Sequence, residues 1–318
     1  MWRAPRGAVL LLLFTASLAK ADIDWRTKGA VTSVKNQGQL CASWAFAVTG
    51  VLEGAWAIQA GKGLPNLSEQ QLVDCASPAC GGPSRLPCNC AQIGCFFNYV
   101  RANGSCRQPA YPYTARVGQC ETTCTPLIPS GFASNWQRLN GEAGIAGALA
   151  SGPVLARLEV GDNGQTLQSF LDYHSGVYTP TAWDASVVQW VLIIGETSSF
   201  FIVKNSFGTS WGATGYVYLG RGANLLGVGN FAYALQPGPA TSGACALPDD
   251  TCFEMSAEDC TVASGTFGGV GTFCPTTAPE GACAIAPAGA PTLTPQALTI
   301  GVALLAVTAA SAIRRRTR

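Results

Sequence analysis

The sequence predicts an α+β fold in two lobes, the first helical and the second rich in strands, with a small disulfide-rich domain behind them. Three observations carry that prediction. The early run "SWAFAVTGVLEGAWAIQAG" (43–61) repeats apolar residues on a helical period, so that Trp44, Val48, Val51, Leu52 and Ala55 share one face. Two later runs, "SVVQWVLIIG" (186–195) and "FFIVKNSFG" (200–208), are short, apolar and β-branched, with turn-forming residues between them. Helix early and strands late is the order of an α+β chain. From residue 241 onward the composition changes: Cys245, Cys252, Cys260 and Cys274 crowd a Gly-rich, acidic stretch, with Cys283 just after. Large apolar residues are too sparse there for a core without bridges.

Taken in order, residues 1–21 have the layout of a secretory signal: Arg3 and Arg6, an apolar run, then Ala19-Lys20-Ala21 at the cleavage point. Residues 22–240 hold the two lobes, with Gly61 as the stop of the long helix. Residues 241–284 form the Cys-rich domain, similar to a short repeat common at the ends of bacterial secreted proteins. A Pro/Ala linker follows at 285–296. Residues 297–313 are apolar, uncharged and just long enough to cross a bilayer, and the basic tail 314–318 would stay on the cytoplasmic side. The whole stretch "APTLTPQALTIGVALLAVTAASAIRRRTR" resembles bacterial sorting tags of the Pro-Thr-Leu type, which points to a Gram-negative envelope. The chain is therefore expected to be exported, at the envelope or surface, anchored through this segment or released by its removal.

Charge excludes one class of partner. Setting aside three basic residues in the leader and four in the tail leaves 12 against 18 acids, and the lobes up to residue 240 are balanced. Nothing there suggests nucleic acid. Fourteen cysteines in an exported chain read as disulfides. The close spacings "CNC" and "CETTC" make a metal site the competing idea, but neither has a histidine nearby and the compartment is oxidising. No metal and no cofactor are expected. Asn66 and Asn103 stand in Asn-x-Ser sequons, which matter only in a eukaryotic host.

The chemistry turns on "NQGQLCASWAF" (36–46). The segments "DIDWRTKGAVTSVKNQG", "SWAF" and "SEQQLVDC", with "SGPVLARLEV", "FLDYHSGVY" and "FFIVKNSFGTSWGATGYVYLGRG" later, resemble the mature domain of the papain family of cysteine peptidases over residues 22–237. The resemblance implies the two-lobed papain-like fold. It also implies a glutamine that donates to the oxyanion and, six residues on, a cysteine directly before a tryptophan. Gln37 and Trp44 keep that register, and Ser43 stands at the nucleophile position. The histidine of the family falls at Gln189, and the asparagine that would orient it at Asn205. A hydroxyl needs a base to take its proton, and a neutral amide accepts none near neutral pH. The single histidine, His174, lies in a segment that matches no cleft element.

The same resemblance places Trp44, Ala91, Trp190, Phe207 and Trp211 along the cleft. Trp190 replaces a small residue of the main specificity pocket, Phe207 a tryptophan that covers the asparagine, and "CNCA" (88–91) the family's "C-x-G-G". Cys41 resembles a half-cystine displaced by one residue, with Cys88 at the usual partner's place, and Cys75 and Cys120 resemble a second family bridge. Cys80, Cys90, Cys95, Cys106 and Cys124 are extra, with a pairing the sequence leaves open. Asp22 follows the leader directly where the family carries a propeptide, as suits a chain with no activity to restrain. The expected function is a non-catalytic binding or scaffold module for a peptide or protein ligand. The alternatives are a hydrolase using Ser43 with an unrecognised base, and a structural surface protein whose cleft is filled.

Overall fold

Helix α1, Ser43–Ala60, is the element around which the rest is built. From Ser43 to Ala55 every residue except Phe46 is buried, which is where a helix apolar on nearly all sides belongs. Close approach fixes its neighbours. A Cβ added at Gly54 would lie 2.9 Å from the Ala30 carbonyl oxygen and 2.9 Å from Pro153. The computed structural model describes residues 22–60, 63–76, 80, 93–121, 123–133, 136–161, 165–235, 242–246, 248, 252–262 and 264–268. Residues 1–21, expected as a signal, residues 285–296, expected as a linker, segment 297–313, residues 314–318 and Cys88, Cys90, Ala91, Cys274 and Cys283 lie outside them. Among the described residues no helix is long and apolar enough to cross a membrane.

Two shorter helices complete the first lobe. Helix α2, Glu69–Gln71, is opened by Ser68, whose Oγ accepts from the Gln71 amide at 3.0 Å, and it continues into a wide turn over Leu72–Ala76. Helix α3, Ile93–Asn103, turns Ile93, Phe96, Phe97 and Val100 inward at helical spacing. It ends at Gly104, whose φ is +72° and where an added Cβ would lie 2.4 Å from the Ile128 carbonyl oxygen, so no side chain fits. Disulfides Cys75–Cys120, Cys80–Cys95 and Cys106–Cys124 staple this lobe, and Cys41 is also disulfide-bonded. Bridges of this span each stabilise by about 2–4 kcal/mol, mainly by restricting the unfolded chain.

The second lobe is a sheet. Its strands are β1 (Ile23–Asp24), β2 (Trp136–Leu139), β3 (Val154–Gly161), β4 (Val177–Tyr178), β5 (Asp184–Glu196), β6 (Phe200–Lys204), β7 (Tyr216–Gly220) and β8 (Ala232–Leu235). They lie in the order β2-β8-β3-β5-β6-β7-β4, with β1 paired to the end of β5. All pairings are antiparallel except β4 with β7. The sheet is covered on both faces, and β5 shows it: Leu192 packs against α1, whereas Val191 and Ile193 join a second core with Ile145 of α4 (Gly141–Ala148) and Phe170 of α5 (Gln165–Leu171). A strand buried on both faces reads as a continuous apolar run, which is how 186–195 appears in the sequence.

Past the lobes, β9 (Ser242–Ala246) is flanked by β10 (Cys252–Ser256) and β11 (Thr266–Phe267). A bond from Cys245 to Cys260 ties β9 to helix α6, Ala257–Val262. A bridge thus supplies what this apolar-poor stretch lacks in core.

Candidate active site

Backbone pairing between the lobes assembles the site. Asn36 and Phe207 form an isolated antiparallel bridge, the Gln37 amide donates to the Ser206 carbonyl at 2.8 Å, and the Gly208 amide to the Lys35 carbonyl at 3.0 Å. Gln37 is thereby held against the end of β6 just before α1 begins at Ser43. Gln189 reaches the same point from β5, opposite Leu158 on β3. Gln37, Gln189 and Asn205 meet here with Ser206 beside them, and Ser43 is tied to the next residue along β5; all five are buried.

The bonds within the cluster are between neutral groups. Gln189 Nε2 donates to Asn205 Oδ1 at 2.8 Å, to Gln37 Oε1 at 3.1 Å and to Ser206 Oγ at 3.3 Å. Ser206 Oγ donates to Gln37 Oε1 at 2.6 Å. Gln37 Nε2 is turned to the Leu40 carbonyl at 3.0 Å, so the amide that would meet an oxyanion is bonded to its own loop. Ser43 Oγ accepts from the Trp190 backbone N–H at 3.2 Å. Amides and hydroxyls in this arrangement exchange hydrogen bonds but take up no proton near neutral pH. His174 is exposed in the turn between α5 and β4, whereas Ser43 is only 4% exposed. Ser206 and Tyr113, whose hydroxyl donates to the Gln37 carbonyl at 2.8 Å, are members that sequence reasoning missed. Only the polar pair "NS" within an apolar run hinted at Ser206.

The aromatic positions go mostly into cores. Trp44 stacks on Phe96, with ring centroids 3.9 Å apart, inside the helical lobe. Trp190 is 3% exposed and packs near Tyr233. Trp211 donates to the Phe170 carbonyl at 3.1 Å, and half-buried Phe207 meets it edge-on. The indole of Trp190 thus lies in the apolar core between the lobes.

A charged layer adjoins the neutral one. A cavity of about 20 Å³, room for one water, is lined by Trp190, Asn205 and Ser206 on one side and by Lys35, Glu53, Glu69 and Lys204 on the other. Lys35 Nζ donates to Glu69 at 2.5 Å, to Glu53 at 3.3 Å and to the Leu67 carbonyl at 3.1 Å, and Lys204 Nζ donates to Thr32 Oγ1 at 3.0 Å. Burial works against the charge on Lys35, but Glu53 and Glu69 outweigh it and its pKa is raised. Burial dominates at Lys204, which is pushed down to about 8 despite the same two carboxylates. Glu69 is raised, because burial outweighs Lys35 there. These four residues too escaped sequence reasoning, although Glu53 and Lys204 are charges set against apolar runs.

The chain is similar to known proteins at three levels. Residues 19–235 match the family model described as papain family cysteine protease. Digestive cysteine proteinase 1 of Homarus americanus is 36% identical over 236 residues, covering 70% of this chain and 68% of that protein. Cysteine endopeptidase Rep1 of Oryza sativa subsp. japonica is 36% identical over 214 residues, 64% of this chain and 54% of the relative. The chain thus spans little more than half to two thirds of these relatives' length. The solved structure of the Carica candamarcensis cysteine protease CMS1MS2 in complex with E-64 superposes with a TM-score of 0.60 at 28% identity, covering 68% of this chain and 98% of that one. The proform of the Amb a 11 cysteine protease, a ragweed pollen allergen, gives 0.60 at 32% identity over 71% of this chain and 69% of its own.

Proposed function

The chain belongs to the papain family of cysteine proteases, and from that premise we propose that it is a non-catalytic member, an exported module that binds a peptide or protein at the cell envelope. One observation carries the reading. Gln189, at the place of the family's histidine, spends its amide on Gln37, Asn205 and Ser206, while Ser43 accepts a bond from the Trp190 backbone. A serine with no base beside it is a poor nucleophile. Gln37 also gives its amide to Leu40, so the oxyanion donor is spoken for. Removing triad members leaves catalysis several orders of magnitude below the intact site, and two positions are changed together here.

The bound disulfides fit an exported protein. Anchoring at the envelope rests on segment 297–313 alone. A fluorophosphonate probe, which reacts with activated serines, tests the non-catalytic reading. No covalent adduct on the purified ectodomain is expected. Labelling that disappears in Ser43→Ala would establish the opposite, an activated Ser43 and a hydrolase.

A further inference from the structure

We propose that Arg138, Arg157 and the ring of Phe231 form a binding site for the acidic side chains of a peptide, on the sheet beside Trp190. The inference rests on the reading of this chain as a peptide-binding module and names the chemistry of what it binds.

Strand register puts these residues on one face. Arg157 on β3 is the direct partner of Trp190 on β5, and Arg138 on β2 is the partner of Tyr233 on β8. Directly opposed residues share a face, and so does Phe231, two residues before Tyr233. The Arg157 guanidinium lies 3.7 Å from the centroid of the Phe231 ring and that of Arg138 lies 4.7 Å from it. Two cations therefore share one half-buried aromatic platform. Each has one anchoring bond: Arg138 Nη2 to the Asn230 carbonyl at 3.0 Å, and Arg157 Nη2 to Glu159 Oε1 at 2.8 Å. Glu159 also accepts from Asn230 Nδ2 at 3.3 Å.

That leaves two guanidiniums against one carboxylate. Arg157 Nε is buried without a partner, an unmet donor that a protein usually does not leave in place. The residues that continue this side of the sheet inward, Trp136, Leu155, Trp190, Leu192 and Tyr233, are uncharged and buried in the core, so they add no further charge at the two arginines. Arg138 remains exposed. A planar guanidinium fork matches a carboxylate, and an aromatic floor beside it suits an apolar neighbour in the same peptide. A polyanion is a poorer fit, because the lobes carry equal numbers of acids and bases and no basic stripe.

The test is fluorescence anisotropy on the whole ectodomain with a labelled peptide alternating glutamate and leucine, beside its glutamine and lysine counterparts. The site predicts that the acidic peptide binds at least about tenfold tighter than the glutamine one, with the margin shrinking in salt. Arg138→Gln and Arg157→Gln should each remove most of that margin. Arg138 is exposed, so its variant keeps the test informative even where Arg157→Gln unfolds. Equal affinity for the acidic and neutral peptides, or a margin untouched by Arg138→Gln, overturns the site and leaves the binding module. Failure of all three peptides to bind overturns both. Cleavage of a peptide, read by mass spectrometry, overturns the non-catalytic reading while the affinities still decide the site.

Discussion

Two polar layers meet at the junction of the lobes, on either side of one small cavity. The layer of Gln37, Ser43, Gln189, Asn205 and Ser206 is neutral throughout, and that of Lys35, Glu53, Glu69 and Lys204 is fully ionisable. Both are buried, apart from half-buried Lys35, and both join the early segment to the sheet. The difference lies in what each can do. Neutral amides satisfy one another at modest cost, so such a layer tolerates change. Buried charges depend on their partners, and a missing partner leaves an unpaired charge in a poor solvent. The first layer thus holds no group that titrates near neutral pH, while the second is built of groups that carry charge.

The comparison breaks first under paired substitutions. Glu69→Leu removes the 2.5 Å partner of Lys35 and should cost about 3–5 kcal/mol in urea unfolding. Gln189→Ala removes one neutral donor from three acceptors and should cost about 1–3 kcal/mol. Equal costs would mean that the neutral layer carries the junction as much as the charged one does.

A smaller effect sharpens the contrast through pH. Lys204 is held near 8 against an ordinary 10.5, so between those values the unfolded chain binds more protons than the folded one. Stability then rises with pH: the burden of a buried charge is complete below pH 8 and is relieved above it. From pH 7 to about 9.5 the gain should reach about 2 kcal/mol, before tyrosines such as Tyr113, raised by burial, act in the opposite sense above about pH 10. Lys204→Met should flatten that rise. An unchanged slope in the variant would assign it to other groups.

Much of this junction was legible in the sequence, and the reasons are local. The spacing from Gln37 to Ser43 and the apolar run of β5 depend on near neighbours, so order along the chain reveals them. The inward turn of the Gln37 amide depends on Leu40, Gln189 and Ser206 at once, which no spacing encodes. The pairings Cys80–Cys95 and Cys106–Cys124 were hidden for the same reason, since only the folded chain decides which thiols meet. Trp44, placed along the cleft by resemblance, is turned inward because its helical position faces Phe96. Half of the charged layer was written as single charges against apolar runs, Glu53 in VLEGAW and Lys204 in FFIVK, a sign of a buried partner but not which one, whereas Lys35 and Glu69 sit among polar residues.

The most direct measurement is hydrolysis of a mixed fluorogenic peptide library by residues 22–290, with Ser43→Ala as the control. The account predicts the same background rate from both proteins. Hydrolysis by the natural sequence that vanishes in Ser43→Ala would contradict it, and His174 would be the first base to replace.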